Sequence, residues 1–142
     1  MILLDTNVLS ELMKPAPSPE LAAWLGAQPA PGLFISAVTE AELRFGLALL
    51  PEGARRNRLV SALEAMLAED FAQRILPFDS AAASVYARIA ADRRKVGRPI
   101  TQFDAQIASI ARSRNAALAT RNIDDFEGCG VQLLNPWGAI RG

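Results

Sequence analysis

The sequence predicts an α/β fold, and three features point to it. Four short apolar stretches, residues 1–5, 33–35, 117–119 and 131–134, alternate with longer segments of helical pattern. Apart from Asp5 and Gln132 these stretches are apolar at every residue rather than at every second one, as strands of a parallel sheet covered on both faces require. The chain is 142 residues long, the size of one domain, and can hide about two thirds of its unfolded surface. Residues 1–142 are therefore read as a single domain.

Residues 1–5 form the first strand, which Asp5 ends. A helix over 6–13 follows and stops before Lys14-Pro15, because a residue preceding proline is pushed out of helical geometry. Residues 15–19, rich in proline, make a loop. Ser18 is a suitable N-cap, with Pro19 at the first helical position and Glu20 behind it, so a short helix carries Leu21, Trp24 and Leu25. The second strand, 33–35, follows a Pro-Gly turn signal. Ser36 caps a helix running to about Leu50, before Pro51. A further helix covers 52–69, and 75–78 is a brief extended segment. Residues 80–96 form an alanine-rich helix closed by Gly97. Thr101 opens the last helix, to about Asn115. The third and fourth strands are 117–119 and 131–134.

Composition then removes whole classes of chemistry. The chain has no histidine. That excludes Ser-His-Asp and Cys-His catalysis, the histidine-pair ribonuclease mechanism and nearly every zinc hydrolase. Chemistry must rest on carboxylates, hydroxyls, Lys, Arg or a metal that oxygen can hold, which points to Mg²⁺ or Mn²⁺. The single cysteine, Cys129, cannot form an internal disulfide and reads as a small loop residue beside glycines. No apolar run approaches the ~18 residues of a membrane span, and the start lacks a positive n-region. The expectation is a cytoplasmic protein without a signal peptide. Fifteen acids balance fifteen bases, yet thirteen of the bases are arginine. They cluster at Arg55-Arg56-Arg58, at Arg93-Arg94-Lys95 with Arg98, and at Arg112 and Arg114. Arginine suits bidentate phosphate contact; the competing reading is ordinary solvated helix faces.

The carboxylates sit where such a sheet binds ligands, at the carboxyl ends of strands. Asp5 ends the first strand, although it could equally cap the helix from Thr6. Glu42 falls on the helix face formed by Val38, Ala41, Phe45 and Leu49. A carboxylate there is costly to bury unless a cation meets it, whether a metal ion or an arginine such as Arg44 or Arg121. Asp104 stands three residues after Thr101, close to capping-box spacing, and flanks the apolar row Phe103, Ile107 and Ile110. The loop after the third strand offers Thr120, Asn122, Asp124 and Asp125; a simple turn would use the same residue types. Of these, Asn122 and Asp125 are the preferred candidates. Acids so placed repel one another and raise one another's pKa, a conflict that a divalent ion resolves. Such an ion suits phosphodiester hydrolysis.

These segments, in order, resemble a known family. Met1-Ile2-Leu3-Leu4-Asp5-Thr6-Asn7-Val8, Ser36-Ala37-Val38-Thr39-Glu40-Ala41-Glu42-Leu43, Asp104-Ala105-Gln106-Ile107-Ala108, and Ala119-Thr120-Arg121-Asn122 with Asp125-Phe126 look like the PIN-domain ribonucleases. Within them they look like the VapC-type toxins of bacterial toxin–antitoxin pairs. The ending Leu134-Asn135-Pro136-Trp137 is similar to the FitB-like subgroup. The resemblance spans essentially the whole chain. It implies a PIN-like α/β/α sandwich with a small parallel sheet flanked by helices. It implies Asp5, Glu42 and Asp104 as metal ligands, with either Asn122 or Asp125 as the fourth, since Asn122 stands where some members have Asp. It further implies Mg²⁺ or Mn²⁺, RNA as substrate, 5′-phosphate and 3′-hydroxyl products, and Thr6 or Thr120 orienting the water or the phosphate. The implied partners are a second copy of the chain, with a dimer of dimers as a further step, and a small VapB- or FitA-like antitoxin. Operator DNA is met only through the antitoxin complex.

Two other enzyme readings fit less well. An aspartyl-nucleophile phosphatase needs a second Asp two residues after the first, and Asn7 stands there. A phosphoacceptor signalling domain needs adjacent acids and a late lysine, but the only lysines are Lys14 and Lys95. A non-catalytic nucleic-acid-binding partner protein is the main alternative.

Overall fold

A computed structural model describes residues 1–138. Residues 139–142, which the single-domain reading includes, lie outside the described residues. At the centre is a five-stranded, wholly parallel sheet: β1 (Ile2–Leu4), β2 (Leu33–Ser36), β3 (Ile75–Leu76), β4 (Ala117–Ala119) and β5 (Leu133–Leu134), in the order β3-β2-β1-β4-β5. Leu3 pairs with Phe34 on one side and Leu118 on the other.

Strand periodicity of two divides the core into two layers. On one face Leu3 and Leu118 meet α5 (Ser80–Lys95) and α6 (Gln102–Ser113) through Val85, Ile89, Ile107 and Ile110. On the other, Leu4, Ile35 and Ala119 meet α1 (Thr6–Leu12), α2 (Pro19–Gly26), α3 (Ala37–Ala48) and α4 (Ala54–Ala65). This is the α/β/α sandwich. No helix among the described residues is long and apolar enough to cross a membrane.

The helix starts follow the capping residues. Asp5, Ser18, Ser36, Asp79 and Thr101 each accept a backbone N–H of the first turn, satisfying donors that have no partner inside the helix. Gly97 takes φ +75° directly after α5, a conformation that spares glycine the usual penalty.

Three expectations need correction. The extended segment at 75–78 is a fifth strand, because Ile75 and Leu76 pair with the edge of β2. The long helix expected over 52–69 is α-helical only to Ala65 and ends in a wider π turn over Met66–Asp70. The apolar face of α3 is not Val38, Ala41, Phe45 and Leu49. Phe45 and Leu49 are 65% and 69% exposed, and the inward stripe is Val38, Thr39, Glu42, Leu43 and Leu47.

Candidate active site

The chain moves outward from β1 to β2 to β3, then returns to add β4 and β5 on the other side. The reversal falls between β1 and β4, and the crevice at their carboxyl ends is where open α/β sheets bind ligands. Asp5 and Thr120, the residues that follow these two strands, meet there. The Asp5 N–H donates to the Ala119 carbonyl at 2.9 Å, and the Thr120 hydroxyl donates to Asp5 Oδ2 at 2.8 Å. Asp5 Oδ1 accepts the Thr6 N–H at 2.8 Å. Asp5 is thus a helix cap and still presents a carboxylate to the crevice.

Glu42 reaches the site from α3. Its Oε1 accepts the Thr6 hydroxyl at 2.8 Å. Thr6 has one hydroxyl proton and gives it to Glu42, so the contact between the Thr6 and Thr39 hydroxyls at 3.0 Å is donated by Thr39. Neither arginine considered as a partner for Glu42 is paired with it. Arg44 pairs with Glu40 and Glu64, and the Arg121 guanidinium lies 4.8 Å from the Trp137 ring centre.

Asp104 comes from the first turn of α6. Its N–H donates to the Thr101 hydroxyl at 3.2 Å, so Thr101 caps the helix and the Asp104 carboxylate stays half-buried and free of that duty. Phe103, expected to share an inward row with Ile107 and Ile110, is instead 53% exposed. Asp125 lies in the short 3-10 turn Ile123–Phe126, close enough for its charge to act on Asp104. Asn122 is also exposed and donates its backbone N–H to the Thr120 hydroxyl at 3.0 Å. With Arg121, Asp124 and Asn135, these two line a shallow depression of about 400 Å³.

Electrostatics ties the acids together. The Asp5 carboxyl is pushed up to about 6, mostly by burial, with the charges of Asp104 and Glu42 adding to it and the bonds from Thr120 and Thr6 opposing it. Burial also raises Asp104, helped by the charges of Asp125 and Glu42. Among the described residues no Lys or Arg nitrogen lies within 4.0 Å of Asp5, Glu42, Asp104 or Asp125. Nor do any three acids among them converge at coordination distance; Asp5, Glu42 and Asp104 are near enough for their charges to act on one another. An all-oxygen donor set in that arrangement fits Mg²⁺ or Mn²⁺, which takes one or two direct carboxylates and keeps several waters.

Two residues of this site escaped the sequence reading. Asn7 donates to Asp5 Oδ2 at 3.3 Å and to the Thr120 hydroxyl at 3.4 Å. Thr39, fully buried, is the polar residue three positions before Glu42 on the same inward stripe; that spacing was the available signal. One expectation fails: Arg93 is 7% exposed and cannot guide RNA as part of a surface cluster. Its donors turn inward, to the Arg98, Asp125 and Glu127 carbonyls.

Comparison with known proteins decides the family. Residues 2–128 match the PIN domain family model. The chain belongs to the PIN-domain family. It is 43% identical over 137 residues to the VapC ribonuclease Y4jK of Sinorhizobium fredii, covering 96% of this chain and 98% of that protein. It is 42% identical to toxin FitB of Neisseria gonorrhoeae over 137 residues, covering 96% and 99%. The structure of FitAB bound to an IR36 DNA fragment superposes with a TM-score of 0.90 at 40% identity, covering 96% of each chain. The PIN sandwich expected from the sequence is therefore the observed fold.

Proposed function

We propose that this PIN-domain protein is a divalent-metal-dependent endoribonuclease, acting in the cytoplasm as the toxin of a toxin–antitoxin pair. The observation that carries the chemistry is that carboxylates from three separate elements, Asp5, Glu42 and Asp104, lie near enough for their charges to raise the Asp5 and Asp104 pKa, with no Lys or Arg nitrogen within 4.0 Å of them among the described residues. Burying like charges together is unfavourable unless a cation joins them. The names of the relatives, a VapC ribonuclease and toxin FitB, support the substrate and the biological role.

Asp5, Glu42 and Asp104 would hold Mg²⁺ or Mn²⁺, with Asp125 or Asn122 as the fourth group. A divalent ion supplies a lowered pKa for water and neutralises charge on the phosphodiester. The chain's own residues set the geometry. Thr120 and Asn7 fix the orientation of Asp5. Thr6, backed by Thr39, fixes Glu42. Both threonine hydroxyls give their proton to a carboxylate, so they orient Glu42 and Asp5 rather than the water or the phosphate. A groove of about 590 Å³ runs from Thr6 and Glu42 between α1, α3 and α4, and Lys14, Arg55 and Arg58 line it. These cations hold the RNA backbone leading to the crevice.

The same reading carries a homodimer, a small VapB- or FitA-like antitoxin as inhibitor, and operator DNA engaged through the antitoxin complex. The likeness to FitAB bound to DNA supports the last of these. The test is the chemistry of the cut ends. Mixed RNA treated with the purified protein and Mn²⁺ should give 5′-phosphate and 3′-hydroxyl fragments. Fragments ending in 2′,3′-cyclic phosphate would overturn it, because they arise from attack by the RNA's own 2′-hydroxyl. No cleavage, with binding of nucleic acid retained, would favour the non-catalytic partner role.

A further inference from the structure

Arg93 lies in the last turn of α5 and is almost wholly buried, at 7% exposure. Its Nε donates to the Arg98 carbonyl at 2.7 Å. The two protons of Nη1 go to the Asp125 and Glu127 carbonyls, both at 3.0 Å, with Cys129 Sγ at 3.6 Å. A buried guanidinium is costly, and among the described residues no carboxylate stands within 4.0 Å to repay it. Backbone carbonyls compensate it instead, one from the turn after α5 and two from the loop at 124–127. Arg98 clasps the same loop from outside, donating to the Asp124 carbonyl and to the Glu127 carboxylate, both at 3.4 Å. The loop so held carries Asp125, and the charges of Arg93 and Asp125 both act on Asp104.

We propose that Arg93, with Arg98 outside it, is a positioning residue of the acidic site: the clamp on the carbonyls of residues 124–127 fixes the backbone that presents Asp125 toward Asp104, and so makes Asp125 part of the ion's ligand set. The proposal rests on the metal-site reading above. A lysine at position 93 keeps the charge but not the planar fork that reaches three carbonyls at once. Arg93→Lys therefore separates geometry from charge.

The test is Mn²⁺ affinity of the full chain, read from the loss of the free-ion EPR signal, with thermal unfolding as the control for folding. Asp125→Asn and Arg93→Lys should each weaken Mn²⁺ binding by about tenfold, the size typical when groups around a metal's ligands are lost. The double variant should bind no more weakly than the worse single one. Arg98→Ala, at an exposed position that folding tolerates, should weaken binding in the same direction, and should do nothing in an Asp125→Asn background. Unchanged affinity in Asp125→Asn, in Arg98→Ala or in a folded Arg93→Lys would overturn the proposal. So would effects of Arg93→Lys and Asp125→Asn that multiply. A wild-type protein that binds no Mn²⁺ would instead overturn the metal-site reading itself.

Discussion

At the scale of single residues, Asp5 is where stability and function conflict. Its carboxyl titrates near 6 in the fold against an ordinary value of 3.8. Well below pH 3.8 it is protonated in both folded and unfolded chains and costs nothing. Between 3.8 and about 6 the unfolded chain ionises while the fold stays protonated, so the metal-free fold loses roughly 3 kcal/mol over that window, and the loss is complete by pH 7. Asp5→Asn removes that cost but also weakens the bond from Thr120. The metal-free variant should melt about 2–4 °C above wild type at pH 7, and the gain should shrink toward pH 4 while nuclease activity is lost. A lower melting temperature at pH 7 would show that Asp5 serves the fold alone. Mn²⁺ should raise the wild-type melting temperature at pH 7 and leave that of Asp5→Asn unmoved; equal shifts in both would place the ion elsewhere.

At the scale of elements, α3 shows what the sequence could and could not reveal. Glu42 was singled out as inward-facing, and the structure places it inward, but the stripe that carries it was misassigned. Phe45 and Leu49 suggested an apolar face by hydrophobicity alone. The true stripe includes Thr39, whose hydroxyl meets that of Thr6 across 33 positions; the pairing leaves no local signal, and only the spacing of Thr39 three before Glu42 could have pointed to it. Capping chemistry was legible at Ser18, Ser36 and Thr101, whereas Asp79, which caps α5, was not singled out. Ser36 accepts the Thr39 N–H at 3.0 Å in a buried setting. Ser36→Ala should therefore cost about 1 kcal/mol in denaturant unfolding; a change within error would mean that water replaces the cap. On α4, Arg55 and Arg58 line the groove beside Glu42. Replacing either by Ala should raise KM for RNA, leave kcat near wild type and flatten the log–log salt dependence by roughly one unit. An unchanged salt slope would assign these arginines to a protein surface instead.

At the scale of the whole molecule, the order of strands builds the site. Short apolar runs alternating with helical segments disclosed a parallel sheet, but not which strands are neighbours. β3 was too short, at two residues, to announce itself before its pairing with β2. The adjacency of β1 and β4 brings Asp5 to Thr120 across 115 positions, and that adjacency follows from topology rather than from any local pattern. The acids at positions 5, 42 and 104 were each ambiguous alone, because each also suits a cap or an ion pair. Their electrostatic coupling, with Arg44 paired to Glu40 and Glu64 and Arg121 over Trp137, is a property of the folded chain. Arg93 was misread because burial of a guanidinium depends on the carbonyls of a loop more than thirty residues away.

We propose that these carboxylates hold a metal ion for RNA hydrolysis. The most direct measurement is cleavage of mixed RNA by purified, antitoxin-free protein, with and without Mn²⁺, for wild type, Asp5→Asn and Asp104→Asn. Cleavage that requires the ion and disappears in both variants is the predicted result. Cleavage that survives chelation, or persists in both variants, would contradict it.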